Sequence, residues 1–411
     1  MAKKQAERDY IVGIDIGTSK IVAIVGEVGK NNKVHILGIG SHPSKGLKRG
    51  VVVNIETTIQ SIQHAVEEAE LMAGCQITSA YTGIAGSHIR SFNSHGIVAI
   101  RGNEVTQADV DRVIDAARAV AIPADQKILH ILPQEFIIDN QDCIREPVGM
   151  SGVRLEAKVH IVTGAVSAAQ NIIKCVERCD LQVNDVILEQ LASSYAVLSE
   201  DEKELGVCMI DIGGGTTDIA VFTEGAIRHT AVIPIAGDQV TNDVAIALRT
   251  PTHHAEKIKI DHACCLLEEA SDEENIEVPS VGSRKPRMVS QKVLADICEP
   301  RYEELFMLVK AELRRSGFDA LIPSGLVMTG GASQIKGGIE LAERVFQVPV
   351  RLGVPEQVTG LVDVVKNSIY ATSVGLLLYG HQQRFDPSVA TIRGGKTSLW
   401  KRMRGWFQGN F

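Results

Sequence analysis

The sequence predicts an α/β protein of two similar lobes, each opening with a β-hairpin that carries an acid and a glycine at its turn. The first observation is a repeat: residues 10–26 read YIVGIDIGTSKIVAIVG, and residues 206–222 read GVCMIDIGGGTTDIAVF. The second observation is that a third apolar strand and then a helical pattern follow each hairpin. Strands that alternate with helices of this length form α/β layers. Two such units half a chain apart therefore predict a duplicated architecture.

The remaining elements follow from apolar periodicity and capping signals. The third strand of each unit is predicted at residues 34–40 and 227–235. Thr106 is predicted to cap a helix, because its hydroxyl can accept a hydrogen bond from a backbone amide of the first turn. Amphipathic helices are predicted at Thr57–Ala73, Thr106–Val120, Ser167–Arg178 and Ser290–Arg315, and further strands at Lys127–Leu132 and Lys158–Val162.

Composition narrows the class of protein. A chain of 411 residues with 45% apolar and 22% charged residues is typical of a globular protein with two or three domains. The net charge of −8 argues against nucleic acid as the main partner, because phosphate neutralisation needs a basic face. The eight cysteines lack paired spacing, which favours a reducing compartment. Cys264 and Cys265 lie near three histidines, but buried thiols are favoured over a metal site because tetrahedral ligand spacing is absent.

The two hairpin turns hold the chemistry that binds a phosphate chain. Backbone amides approach phosphate oxygens closely where glycine removes the Cβ atom, and hydroxyls and an ammonium group add donors. Asp15 and Asp211 are predicted to hold Mg²⁺ through its waters, because this ion keeps much of its hydration shell. Either turn alone would be an ordinary hairpin, and the duplication favours the phosphate site. The candidate phosphate contacts are Gly17, Thr18, Ser19 and Lys20 in the first turn and Gly213, Gly214, Gly215, Thr216 and Thr217 in the second.

A third element supports a nucleotide rather than a simple phosphate. Residues 326–333 read LVMTGGAS, an apolar strand that runs into a pair of glycines. A Gly-Gly turn after a buried strand lets the backbone lie against a flat base. Gly330, Gly331 and Ser333 are therefore candidate contacts to the nucleoside end of the ligand.

In this order the three elements resemble the phosphate-1, phosphate-2 and adenosine motifs of the actin/Hsp70/sugar-kinase ATPase superfamily. The resemblance implies ATP and Mg²⁺ as ligands and duplicated ribonuclease H-like domains as the fold. Residues 189–195 and 371–375 resemble its two connecting helices, whose small residues fit a close crossing between the lobes. In the superfamily the first connecting helix usually begins with Glu-Pro, whereas here Gln190 replaces that proline. Glu189 is thus a candidate for ordering metal-bound water, against the equal alternative of an acid at a helix N-terminus.

Residues 255–259 resemble the Ala-Glu-x-Ile-Lys segment that carries ribose contacts in this superfamily. The resemblance implies that Glu256 and Lys259 face the sugar hydroxyls. Taken alone, an acid and a lysine three residues apart would be an ordinary solvated pair on a helix.

Phrases throughout the chain are similar to the FtsA family of bacterial cell-division proteins. The similarity implies an actin-like fold in which an insert, subdomain 1C, takes the place of actin's subdomain 1B. It rests on residues 105–110, 132–136, 149–155, 191–194, 278–282 and 299–302. The implied order is 1–83 and 164–204 as subdomain 1A around 84–163 as 1C, 205–236 and 300–363 as 2A around 237–299 as 2B, 364–380 as the closing helix of 1A, 381–397 as a flexible linker and 398–411 as an amphipathic helix.

The same resemblance implies the function. Members of the family are not enzymes but ATP-binding adaptors, for which a weak ATPase activity stays open. They form protofilaments, bind the C-terminal peptide of the tubulin-like protein FtsZ through subdomain 2B, and tie FtsZ to the cytoplasmic face of the inner membrane at the division site. Later division proteins are recruited through subdomain 1C. Arg301 and Glu304 match positions beside the FtsZ-peptide site, although by themselves they would be a surface pair on a helix.

Two other functions stay open on the sequence. One is an actin-like scaffold of another membrane machine, such as pilus assembly, which would lack a basic amphipathic tail. The other is a small-molecule kinase or phosphatase of the same fold, for which the first lobe shows no recognisable set of substrate residues.

The C-terminal residues predict a membrane anchor. From Arg393 onwards there are five basic side chains and no acidic one. A helix with a basic polar face and an apolar face that carries tryptophan is typical of the membrane interface. Attraction to anionic lipid adds about 1 kcal/mol per basic residue, and filament formation would multiply one weak anchor through avidity. The alternative is a helix docked on the protein's own core. Helical projection places Leu399, Trp400, Met403, Trp406 and Phe407 on one side, and Lys401, Arg402, Arg404 and Gln408 on the other.

Overall fold

The computed structural model describes residues 10–29, 32–280, 282 and 285–385. The predicted membrane helix and residues 386–397 of the predicted linker lie outside the described residues. Within the part that is described, no helix is both long and apolar enough to cross a membrane.

The first lobe begins with an antiparallel meander. The strand β2 (Lys20–Val28) pairs with β1 (Tyr10–Ile16) on one side and with β3 (Val34–Pro43) on the other. The strand β6 (Ser79–Ile84) lies parallel to β1. The side chain of Asn54 caps α1 by accepting from the amide of Thr57. In chain order the elements are β1 (Tyr10–Ile16), β2 (Lys20–Val28), β3 (Val34–Pro43), β4 (Leu47–Lys48), β5 (Val51–Val52), α1 (Ile55–Ala73) and β6 (Ser79–Ile84).

The insert is a four-stranded sheet with one helix packed against it. Its helix begins as predicted, since Thr106 and Asp109 form a reciprocal capping box. A core of its own, which includes Val113, Phe136 and Leu155, explains why this segment forms a separate unit. Its elements are β7 (Arg90–Ala99), α2 (Gln107–Arg118), β8 (Gln126–Ile138), β9 (Gln141–Ile144) and β10 (Arg154–Ala165), and the strands lie in the order β7-β10-β8-β9.

The chain then returns to the first sheet and crosses to the second lobe. The strand β11 extends the first sheet by pairing parallel with β6, and α4 starts at the residue after β11 ends. Glu189 therefore stands at the carboxyl end of a parallel strand, the edge at which ligands bind in such sheets. The elements of this return are α3 (Val166–Glu177), β11 (Gln182–Leu188), α4 (Glu189–Val197) and α5 (Glu200–Leu205).

The second lobe repeats the core of the first. Its hairpin β12–β13 is antiparallel and β17 lies parallel to β12, as β1–β2 and β6 do in the first lobe. The strands form a sheet in the order β14-β13-β12-β17-β18. The elements are β12 (Val207–Ile212), β13 (Thr217–Thr223), β14 (Ala226–Ile233), α6 (Gly237–Ala247), α7 (Thr252–His262), β15 (Asn275–Val278), β16 (Arg287–Ser290), α8 (Gln291–Ser316), β17 (Leu326–Thr329), α9 (Gly338–Phe346) and β18 (Val350–Leu352).

The last elements differ from the predicted boundaries in two places. They are β19 (Val358–Gly360), α10 (Val362–Val365) and α11 (Ala371–Phe385). The strand β19 pairs parallel with β3, so it belongs to the first sheet although it was predicted in subdomain 2A. Residues 381–385, predicted as linker, continue α11. His381 lies 3.1 Å from Asn32 through Nε2 and Oδ1, a tertiary contact that supports this last helical turn.

The helices α4 and α11 cross closely between the lobes. A Cβ atom on Gly375 would lie 1.9 Å from the carbonyl oxygen of Ala192, so only glycine allows the two backbones to approach this far. The small residues of both segments form this crossing as the sequence predicts. It places the first turn of each helix beside the two hairpin turns.

Candidate functional site

A cavity of about 470 Å³ lies between the lobes. Its lining comes from the β1–β2 turn, the β12–β13 turn and the glycine pair after β17, together with α7 and the start of α8. The structure thus brings together the three elements that the sequence singled out. The predicted residues that line it are Asp15, Gly17, Thr18, Ser19, Lys20, Glu189, Asp211, Gly213, Gly214, Gly215, Thr216, Glu256, Lys259, Gly330 and Gly331.

Two predicted contacts lie behind the lining instead. Thr217 is fully buried and donates from Oγ1 to the carbonyl oxygen of Ile235 at 2.7 Å. Thr217 is the first residue of β13 and does not reach the lining, whereas Thr216 precedes the strand in the turn and lines the cavity. Ser333 donates from Oγ to the carbonyl oxygen of Gly330 at 2.6 Å. These hydroxyls hold the turns in shape and do not face the cavity.

The two hairpin turns meet across the cleft. A Cβ atom on Gly214 would lie 1.8 Å from Oγ of Ser19, and one on Gly215 would lie 2.7 Å from Oγ1 of Thr18. The amides of Gly237 and Asp238 donate to the carbonyls of the second turn, which ties that turn to the start of α6. The second turn is therefore fixed at the amino end of α6, where the helix dipole favours an anion.

Buried acids surround the meeting point of the turns. Oδ2 of Asp211 accepts from Ser193 Oγ at 2.6 Å and from Thr372 Oγ1 at 3.3 Å. Oδ2 of Asp15 accepts from Ser373 Oγ at 3.4 Å. These three hydroxyls come from α4 and α11, so the crossing helices position the acids of both lobes.

The cavity is lined by more acidic than basic side chains. Burial raises the pKa of Asp15 to about 6, against the effect of Lys20 and with a further contribution from Asp211. Burial also raises the pKa of Asp211 and raises that of Glu189 well above its ordinary value. It raises the pKa of Asp218 to about 8. Burial thus raises the pKa of four neighbouring carboxyls. A bound cation would stabilise their ionised forms and would itself be stabilised by them.

The donor set fits a hydrated Mg²⁺ better than a directly ligated metal. Oδ1 of Asp218 is buried without a hydrogen-bond partner, so an acceptor is available to a metal-bound water. Among the residues that the structure describes, no three His, Cys, Asp or Glu side chains are placed to ligate a metal ion. Mg²⁺ would accordingly keep waters and take phosphate oxygens, with Asp15 and Asp211 holding the waters.

Lys20 lies at the edge of the cavity. Its Nζ donates to the carbonyl oxygen of Ile369 at 2.7 Å and stands 4.6 Å from the ring centre of Tyr370. Burial lowers the pKa of Lys20 to about 8, while Asp15 and Asp211 act in the opposite direction. The ammonium group therefore joins the first turn to the segment that leads into α11.

The other end of the cavity suits a nucleoside. Lys259 pairs with Glu256 at 2.7 Å between Nζ and Oε2, and its Nζ also donates to Oγ1 of Thr241 at 2.9 Å. Tyr302 reaches this wall from α8 and donates to the carbonyl oxygen of Ala332 at 2.7 Å. Carboxylate, ammonium and backbone groups of this kind can bind sugar hydroxyls and a base.

The sequence missed several residues of the site. Asp218 lies directly opposite Asp211 in the β12–β13 ladder, whereas Val22 lies opposite Asp15 in the first hairpin. This difference between the two hairpins is the sequence signal that could have identified Asp218. The hydroxyls of Ser193, Thr372 and Ser373 carried no signal of their own, because their role depends on the crossing of α4 and α11.

Arg301 and Glu304 lie together on the surface of the second lobe. Arg301 Nε donates to Oδ2 of Asp243 on α6 at 2.6 Å, and its Nη1 donates to Glu304. Cys264 and Cys265, considered above as metal ligands, are fully buried.

Comparisons with known proteins agree on one family. A family model described as "Cell division protein FtsA" matches residues 208–375, and one described as "SHS2 domain inserted in FTSA" matches residues 86–163. The chain is 64% identical to the cell division protein FtsA of Pseudomonas aeruginosa, covering 100% of both. It is 46% identical to that of Escherichia coli K12, covering 99% of this chain and 100% of the relative.

Solved structures show the fold. The PilM–PilN type IV pilus biogenesis complex matches with a TM-score of 0.68 at 15% identity, covering 91% of this chain and 99% of that chain. Spiroplasma citri MreB5 bound to AMPPNP matches with a TM-score of 0.56 at 14% identity, covering 94% and 98%. The predicted actin-like ATPase fold and its insert are thereby confirmed.

Proposed function

The chain belongs to the FtsA family of cell-division proteins, and we propose that it is an ATP-binding actin-like adaptor that polymerises and anchors FtsZ to the cytoplasmic membrane. The observation that carries this proposal is the cavity between the lobes, where two glycine turns meet beside buried acids. Each lobe supplies one turn, so a nucleotide held by both favours one relative position of the lobes. Such a dependence would couple ATP binding to filament assembly.

The proposed pose follows the chemistry of the lining. The phosphates lie between the turns at Gly17–Ser19 and Gly213–Thr216, with Lys20 at their edge. The adenosine lies towards Glu256, Lys259 and the Gly330–Gly331 pair. Mg²⁺ would neutralise the phosphates and the acids together, and Asp15 and Asp211 would orient its waters. Glu189 would hold a further water, and a weak ATPase activity is compatible with this arrangement.

The alternatives are less well supported. A pilus-type scaffold shares only the fold at 15% identity, whereas the similarity to FtsA spans both full lengths. The cavity does not favour the kinase alternative, because the predicted residues that line it are those that would contact a nucleotide and its Mg²⁺. We accordingly propose an adaptor rather than an enzyme, at the division site on the cytoplasmic face of the inner membrane, with subdomain 1C contacting later division proteins.

The proposed FtsZ-peptide site includes Arg301 and Glu304. Replacing Arg301 with glutamate would place a third acid beside Asp243 and Glu304, so we expect affinity for the C-terminal peptide of FtsZ to fall at least about tenfold. Fluorescence anisotropy with a labelled peptide measures this. Arg314→Glu is the matched control, because Arg314 lies on the same helix and is largely exposed. Equal losses in both variants, or no loss in Arg301→Glu, would contradict the assignment.

The membrane role is tested by removing residues 398–411. The full chain should sediment with vesicles that contain anionic lipid, more so with ATP and FtsZ, and the truncated chain should stay in the supernatant. Trp400→Ala with Trp406→Ala keeps the charges and should lose much of the binding, which separates insertion from charge attraction. If the truncated chain still sediments with vesicles, the anchor lies elsewhere.

A further inference from the structure

The hairpin β4–β5 brings its tip to both phosphate turns. The tip is Arg49-Gly50, and the amide of Gly50 donates to Oγ1 of Thr18 at 3.0 Å. On the other side, a Cβ atom on Gly215 would lie only 2.9 Å from Cα of Arg49. Gly50 itself lines the cavity. The Arg49 side chain therefore begins beside the point where the two lobes meet.

Arginine is an unfavourable choice for this turn. Arg49 and Gly50 have φ values of +50° and +74°, and they join two strands through a two-residue loop. Positive φ at both positions is the pattern of a type I′ turn, which favours Asn-Gly or Asp-Gly. Left-handed backbone at a residue with a long side chain is uncommon, and residues held against local preference concentrate at functional sites.

The lysines that line the cavity have partners, and Lys336 among them donates to the carbonyl oxygen of Glu269. Lys20 donates to a backbone carbonyl, and Lys259 is paired with Glu256. Arg49 is exposed, and within the described part of the chain no hydrogen bond or ion pair engages its guanidinium. A planar guanidinium binds phosphate through two parallel hydrogen bonds.

We propose that Arg49 binds the terminal phosphate of a nucleoside triphosphate and thereby distinguishes ATP from ADP. The inference rests on the proposed nucleotide site, because the terminal phosphate is placed where the two turns meet. ADP has no group at this point, so Arg49 adds affinity for the triphosphate alone.

The sharpest test is Arg49→Asn. Asparagine is favoured in this turn, so the variant should unfold at the same temperature as the wild type or a higher one. Affinity for Mg²⁺·AMPPNP should fall by about ten- to a hundredfold, the effect of losing hydrogen bonds to a charged group, while affinity for Mg²⁺·ADP changes by less than about threefold. Isothermal titration measures both. Lys48→Asn is the control, because it removes the same charge one residue away.

The outcomes separate this inference from the proposed function. If the wild type binds neither nucleotide, the proposed function fails and this inference with it. If the wild type binds both and Arg49→Asn weakens both equally, or neither, Arg49 has no role at the terminal phosphate. A similar loss in Lys48→Asn would show general charge attraction, which also overturns the assignment.

Discussion

Replacing Gly214 with alanine should weaken nucleotide binding by about ten- to a hundredfold while leaving both lobes folded. The new Cβ atom would lie 1.8 Å from Ser19 Oγ, 3.1 Å from Ser19 Cβ and 3.2 Å from Asp238 Oδ1. Rotation of the Ser19 hydroxyl alone leaves the crowded Cβ atom, so the two turns must also move apart. Crowding of this kind costs about 1–3 kcal/mol, and each 1.4 kcal/mol is about a factor of ten in affinity. Gly214 is not among the described glycines with positive φ, so the effect comes from the facing lobe and not from backbone strain.

A second substitution tests that reasoning. Ser19→Gly removes the hydroxyl that the new methyl group meets, so the double variant should recover part of the lost affinity. The coupling energy between the two positions is the measured quantity, with ADP and AMPPNP titrated against all four proteins. Thermal unfolding of each variant checks that the fold is kept. Additive losses at Ser19 and Gly214 would show that the turns do not meet in solution as they do here.

Local features of the sequence were enough to predict the two lobes. Each hairpin is a short-range element, and the same order of acid, glycine and hydroxyl in both copies placed Asp15 and Asp211 at equivalent ends of equivalent strands. Duplication of the fold then brings these ends together across one cleft. Helix starts such as Thr106 were predictable because capping depends on residues only three positions apart.

Features that depend on distant contacts were not predictable. The strand β19 has three residues, and it pairs with β3 more than 300 positions earlier, as Val358 with Val34. Thr216 ends the β12–β13 turn and lines the cavity, whereas Thr217 begins β13 and is fully buried, and the sequence predicted both as ligand contacts. Arg49 belongs to the first lobe and Gly215 to the second. The sequence of either hairpin alone therefore could not show that these two residues are close.

Replacing Asp218 with asparagine should stabilise the nucleotide-free protein, most strongly near pH 8. Asp218 is 4% exposed, and burial, with Asp211 as the next contribution, raises its pKa from 3.8 to about 8, against the effect of Thr216. The folded protein therefore keeps a proton that the unfolded chain has released, and stability falls as pH rises from about 4 to about 8. Asparagine carries no charge at any pH and can still accept the hydrogen bond from Thr216 Oγ1.

The size and pH dependence of this gain distinguish its cause. One pKa unit corresponds to about 1.4 kcal/mol, so a gain on the order of 2 kcal/mol is expected at pH 8 and a smaller one at pH 5, measured by urea unfolding. Asp211→Asn is the control, because the Asp211 carboxylate accepts from Ser193 and Thr372 and its loss should stabilise less. Mg²⁺ with nucleotide should reduce the advantage of Asp218→Asn, since a bound cation stabilises the ionised acid. A gain that is equal at both pH values would mean that Asp218 is already ionised in the folded protein, and that the cleft balances its charge without a cation.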